Sequence, residues 1–253
     1  MKFYDIVFSP TGGTQKVATL LTDALDGEVT RVDLTDSKQD FRAVQLTQED
    51  VAVLSVPSYG GRVPAVAVER MAMLNGHDAR AILVCVYGNR AYEDTLVELE
   101  DVAKQAGFRV IAAVAAVAEH SIARQFASGR PDTQDATQLS EFAKQIQGKL
   151  YAGNAAEPVI PGNRPYKKAG GAGMVPKPTK ACIQCGICAE KCPVQAIDQE
   201  NSKKVDEKAC ISCMRCVSVC PHAARKVSPV LLSAVGLALK KVCSERKDCE
   251  LFL

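Results

Sequence analysis

Eight of the chain's eleven cysteines fall into two runs of one spacing, Cys182-x2-Cys185-x2-Cys188-x3-Cys192-Pro193 and Cys210-x2-Cys213-x2-Cys216-x3-Cys220-Pro221. Thiolates at this density are soft-metal ligands. Structural zinc favours two separated Cys-x2-Cys pairs, four ligands to an ion, often with histidine. Here each run sets three thiolates at x2 spacing and a fourth beyond a short turn that proline ends. That three-plus-one arrangement suits a four-iron, four-sulfur cubane. The x2 spacing brings successive sulfurs to neighbouring irons, while the fourth cysteine points the other way. The pseudo-symmetry of the chain then assigns Cys182, Cys185, Cys188 and Cys220 to one [4Fe-4S] cluster, and Cys210, Cys213, Cys216 and Cys192 to a second. Gly186 lets backbone N–H groups approach the sulfides, and Ala196-Ile197 and Ala223-Ala224 are expected to pack over the clusters.

A second constellation lies near the N-terminus. Ser9-Pro10-Thr11-Gly12-Gly13-Thr14-Gln15 follows an apolar strand and opens a helix, where small hydroxyl residues and glycines let amides curl around an anion. No Gly-Lys-Ser/Thr follows, so it is not a Walker loop, and it is not the GxGxxG of dinucleotide sites. Two further loops, Pro57-Ser58-Tyr59-Gly60-Gly61-Arg62 and Gly88-Asn89-Arg90-Ala91-Tyr92-Glu93-Asp94, each carry an aromatic among small polar residues. A flat ring held over a phosphate site needs such a pair of covering loops.

The elements that must position these residues alternate in type over residues 1–152. Apolar strands are expected at 3–8, 28–34, 51–56, 81–87 and 108–118, and helices at 14–25, 64–74, 92–106 and 132–151. The run Val51–Val56 is apolar on both faces, as a central parallel strand should be. The expected fold class is α/β, a five-stranded doubly wound parallel sheet, whose ligands sit beyond the carboxyl ends of the strands. All the loops singled out lie on that edge. Residues 153–176 are rich in Gly and Pro and read as a semi-extended linker. The cysteine-rich domain spans 177–228, and 229–253 reads as a helical tail with a nearly all-round apolar pattern.

The sheet domain resembles flavodoxins, whose phosphate loop has the pattern Ser/Thr-x-Thr-Gly-x-Thr. The resemblance implies that Ser9, Thr11, Gly12, Gly13 and Thr14 bind the phosphate of FMN. It places Pro57, Ser58, Tyr59 and Gly60, with Gly88, Asn89, Tyr92 and Asp94, about the flavin, Tyr59 and Tyr92 as ring neighbours. Arg62 and Arg90 at the same rim are candidates to stabilise an anionic reduced ring or an acidic substrate, and His120 is a candidate to donate to flavin or substrate. The cysteine segment resembles two-cluster bacterial ferredoxins, a small α+β fold. The whole is similar to flavodoxin–ferredoxin fusions, which implies electron transfer between two [4Fe-4S] clusters and FMN. The alternative is a flavin-dependent reductase in which the clusters feed the reduction of a small molecule.

Composition narrows the rest. The 253 residues carry 31 basic and 29 acidic side chains, a net charge of +2, which argues against a nucleic-acid binder. That balance hides a split, 15 basic against 20 acidic before residue 153 and 16 against 9 after it. The two parts are expected to attract each other, or the basic one to receive an acidic redox partner. No apolar stretch is long enough for a membrane span, and no signal-peptide pattern opens the chain, so a cytoplasmic location is expected, where clustered cysteines mean metal chemistry. Cys85, inside a strand, reads as a core thiol. Cys243 and Cys249 match no cluster pattern.

Overall fold

The structure is a computed structural model that describes residues 1–153, 156–170 and 173–253. Strands β1 (Lys2–Val7), β2 (Glu28–Asp33), β3 (Val51–Pro57), β4 (Arg80–Tyr87) and β5 (Arg109–Val117) run parallel in the order β2-β1-β3-β4-β5. This is the doubly wound flavodoxin-like order. Helices α1 (Gly13–Thr22) and α4 (Thr133–Tyr151) cover one face, and α2 (Ala65–Met71) and α3 (Thr95–Gln105) the other. Two buried clusters follow from the strand period of two. Ile6, Leu54 and Leu83 face α2 and α3, whereas Phe3, Val53 and Val84 face α1 and α4. Asp132 caps α4 through the amides of Gln134 and Asp135, and Asp135 reaches back to the Asp132 amide.

Helix α3 begins at Thr95 rather than at residue 92. Glu93 sits in the left-handed region at φ 45°, and Asp94 spends its carboxylate elsewhere, so the chain turns before it winds.

Most of the segment expected as a linker is a strap across α3. Residues 154, 155, 171 and 172 lie outside the described residues. Asn163 and Lys167 donate their amides to the Asp94 carboxylate at 2.9 and 2.7 Å. Arg164 forks onto Glu100 and Asp101, and the Tyr166 hydroxyl donates to Asp101. A Cβ on Gly162 would lie 2.4 Å from Val97, so glycine is what lets the strap lie flat.

The cysteine-rich domain holds the two-residue strands β6 (Lys177–Pro178) and β7 (Arg225–Lys226), paired antiparallel, and two single-turn helices, α5 (Ile187–Glu190) and α6 (Arg215–Ser218). Beyond it, α7 spans Pro229–Cys243 and leaves Val230 and Leu237 about three-quarters exposed. The tail does not stay helical. Strand β8 (Glu250–Phe252) returns to pair antiparallel with β5, making a sixth strand on the sheet. Among the described residues, no helix is long and apolar enough to cross a membrane.

Candidate cofactor sites

Each cysteine run bends in the same way. Gln184 and Ser212, Gly186 and Met214, and Gln195 and Ala223 all have positive φ. Each pair is separated by 28 residues, the offset between Cys182 and Cys210 (210 − 182). Left-handed residues flanking a thiolate turn successive amides toward one side, which is how a backbone presents donors to an anionic cluster. Met214 adopts at φ 61° what Gly186 adopts at 79°, without glycine's freedom.

These bends bring Cys182, Cys185, Cys188 and Cys220 around one cavity, and Cys192, Cys210, Cys213 and Cys216 around another. The two hold about 320 and 360 Å³ of unfilled space, their mouths included. The first is nearer solvent, with Cys185 exposed. The second is walled by Val194, Ile197 and Ile211, with Cys213 buried. Burial pushes the thiols of Cys213 and Cys216 up to about 12. Cys220 goes the other way. Its burial is outweighed by nearby amides, including that of Ala224 at 3.3 Å from Sγ, and by the charge of Arg225. The donor sets and converging amides fit cubane clusters.

At the sheet, Ser9 closes β1 and its Oγ accepts the Gln15 amide at 2.9 Å, while its own amide donates to Thr35 Oγ1. Gly12 turns at φ 90°, and a Cβ on Gly13 would lie 3.3 Å from that of Ala118, so the loop is drawn close over β5. The amides of Gly13 and Thr14, at the first turn of α1, lie outside the helix's own hydrogen bonding. This loop fits a phosphate monoester.

The covering loops make several contacts within the chain. Tyr59 bridges to Arg62 across a tight turn, and a Cβ on Gly60 would come within 3.0 Å of the Gly170 carbonyl. Ser58 Oγ bonds Thr95 Oγ1 at 2.7 Å. Tyr92 packs edge-on against Tyr87, ring centroids 5.3 Å apart, and its hydroxyl donates to Glu250. The Asn89 amide donates to the carbonyls of Cys243 and Glu245. Asp94 holds the strap, which keeps its carboxyl below the usual range. The side chains of Asn89 and Tyr92 meet the tail, that of Asp94 the strap, and that of Ser58 the first residue of α3. Pro57, Tyr59, Gly60 and the Gly88 backbone remain at the edge.

The charged candidates are also spoken for. Arg62 forks onto Glu98 at 2.7 Å, donates to the Lys167 carbonyl and lies over the Tyr166 ring. Arg90 pairs with Glu93. His120 accepts the amides of Ile122 and Ala123 on Nδ1 and packs against Gly88, and burial lowers its pKa. The remaining thiols are packed. Cys85 is fully buried and raised by that burial, Cys243 faces the Gly88 carbonyl, and Cys249 is pushed up to about 11 beside Asp135.

Two arginines carry no motif and were invisible to spacing. Arg215 reaches from α6 to the Pro10 carbonyl at 3.1 Å, its Nε buried without an acceptor. Arg225 is buried inside the cysteine-rich domain.

Residues 181–230 match the family described as a 4Fe-4S dicluster domain. The flavodoxin of Streptococcus pneumoniae TIGR4 superposes on 58% of this chain and 97% of its own at 19% identity, TM-score 0.40. Oxidised flavodoxin 1 from Bacillus cereus covers the same shares at 16% identity, TM-score 0.43. Two-electron reduced flavodoxin from Megasphaera elsdenii covers 57% and 99% at 18% identity, TM-score 0.40. None of the curated protein sequences matches the chain. The strand order and the dicluster match together describe a flavodoxin-like domain followed by a ferredoxin-type 4Fe-4S domain, the arrangement of a flavodoxin–ferredoxin fusion.

Proposed function

We propose that the chain relays electrons between two [4Fe-4S] clusters and FMN, the flavin held by Ser9–Thr14 and flanked by Tyr59, Gly60 and Gly88. When bound, FMN supplies one- or two-electron chemistry and each cluster one-electron chemistry. The chain's part is to hold the sites close together and dry. One observation supports this above the others. The turn Cys213-Met214-Arg215 lies against the flavin rim, with Arg215 on Pro10 and Tyr59 near Cys213. Burial, with Cys213 adding to it, holds the Tyr59 phenol well above its ordinary value. The set Cys192, Cys210, Cys213 and Cys216 is thereby the flavin-side one, and the set ending in Cys220 the outward one. A fixed contact raises effective concentration beyond what a tether gives.

The test is anaerobic purification with iron, sulfide and flavin quantification, then stepwise reductive titration. About eight irons and one FMN per chain are expected, with electron exchange between the centres first-order in protein. Iron without flavin, even when FMN is supplied, would remove the sheet's role in the relay.

A further inference from the structure

Arg225 stands where its own domain otherwise uses hydrocarbon. The 28-residue offset that relates the cysteine runs and their left-handed residues carries Ile197 onto Arg225. Ile197 is 3% exposed in the apolar cluster with Cys188 and Cys192, and Arg225 is 2% exposed. A guanidinium stays charged at any ordinary pH, so burying it is strongly unfavourable without compensation. The compensation from the chain is partial. Nη1 donates to the Pro176 carbonyl at 3.2 Å and Nη2 to the Ser202 carbonyl, while Nε is buried with no acceptor. Among the described residues no carboxylate lies within ion-pair distance of it. Arg225 lines the cavity of Cys182, Cys185, Cys188 and Cys220.

We propose that Arg225 is the internal counter-charge of the cluster held by Cys182, Cys185, Cys188 and Cys220, a fixed cation in its wall that favours its reduced form. The inference rests on the two-cluster reading above. Each electron a cluster accepts from an external reductant adds one negative charge to it. In a dry interior a cation a few ångströms away responds to that charge with little screening. Groups around a cluster set its potential through charge and burial. Ile197, at the symmetric position, has no such effect, so the cation is a device of the second repeat alone.

The test uses the full chain, purified anaerobically, as wild type and as Arg225→Lys, Arg225→Gln and Arg225→Ile. Iron and sulfide are counted, and the clusters are titrated with dithionite and mediators while their paramagnetic signals are followed. Gln and Ile are expected to lower the reduction equilibrium constant of the cluster at Cys220 tenfold or more, 59 mV for a one-electron couple, or to lose iron. Lys is expected to keep iron content and potentials near wild type. Full iron with unchanged potentials in Arg225→Gln or Arg225→Ile overturns the proposal. So does loss of iron in Arg225→Lys as complete as in Arg225→Ile, since shape rather than charge would then be at work. A wild-type chain that holds no iron–sulfur centres sinks the two-cluster reading itself, a result that the variants cannot mimic.

Discussion

Asp5 sits in the middle of β1, fully buried beneath α1, and meets little that repays its charge. Gln15 Nε2 donates to one carboxylate oxygen at 3.1 Å, the other has no partner, and Arg31 stays 3.9 Å off and well exposed. Burial raises its pKa to about 6. The unfolded chain releases that proton near pH ~3.9. The native state therefore binds it more tightly, and stability falls as pH rises from about 4 to about 6, by on the order of 3 kcal/mol in all. Asp5→Asn keeps the Gln15 contact and removes the titration. Its thermal midpoint should exceed that of wild type above pH 6, with the gap closing toward pH 4.5. A gap that does not vary with pH would mean that Asp5 does not carry the proton. At the same scale, Arg215, which pairs with no carboxylate among the described residues, puts a cation beside the Ser9–Thr14 loop. Charge-assisted contacts to phosphate are worth about 1.5–3 kcal/mol. Arg215→Gln should weaken FMN binding roughly tenfold or more by flavin fluorescence while leaving riboflavin binding unchanged. Equal losses for both ligands would make Arg215 a packing residue.

Among the elements, the duplicated cysteine turns and the short tail strand make a contrast. The crossed sets predict that Cys192→Ala damages the cluster centred on Cys213 and spares the one that includes its neighbours Cys185 and Cys188. Selective loss of the outward centre's signal would reverse the assignment. The turns could be read from sequence because cysteine spacing is local and chemically narrow. The five parallel strands could be read because apolar runs of that length have few other uses. Strand β8 could not. It is three residues long, begins with Glu250, and owes its place to contacts far away in sequence: Asn89 on Cys243 and Glu245, Arg246 on Asp132, and Tyr92 on Glu250. The same blindness hid the side-chain partners of Tyr92, Asn89 and Asp94, since a motif position says where a residue is and not what its side chain meets. Asn89 is the pin. Its left-handed backbone at φ 64° would suit glycine equally. Asn89→Gly should thus keep the turn yet free the tail, at a cost of about 2–3 kcal/mol for several lost hydrogen bonds. Hydrogen exchange should rise across 244–253 and leave β1 and β3 protected. Unchanged exchange in the tail would show that strand pairing alone holds it.

At the scale of the molecule, the charge split is real but is spent away from the junction between sheet and clusters. The basic strap and tail use it, Arg164 and Lys167 on α3 and its approach, Arg246 on Asp132 and Asp135. Between the sheet domain and the cluster domain, the ion pair Lys38–Glu190 is long, exposed, and opposite in sense to the net charges. The junction is made by arginines on carbonyls, by apolar contact and by a hydrogen bond from the Gln195 side-chain amide to the Ser37 hydroxyl at 2.9 Å. Val194 and Ile211 pack against the α2/α3 side of the sheet core, and Arg70 of α2 joins Leu34 to Pro193 through their carbonyls at 2.5 and 2.6 Å. Such a junction resists salt, since little of it is exposed charge. It also makes Arg70 a shared support, because Pro193 immediately follows Cys192 of the second four-cysteine set. Arg70→Met keeps most of the side chain's apolar stem and deletes both donors, leaving two carbonyls unsatisfied at about 1–3 kcal/mol each. Hydrogen exchange in the full chain should then increase together at 34–46 and at 190–197, with β4 and β5 unaffected. An increase confined to 34–46 would mean that Arg70 serves the sheet alone and that the cluster domain is held by its apolar contacts.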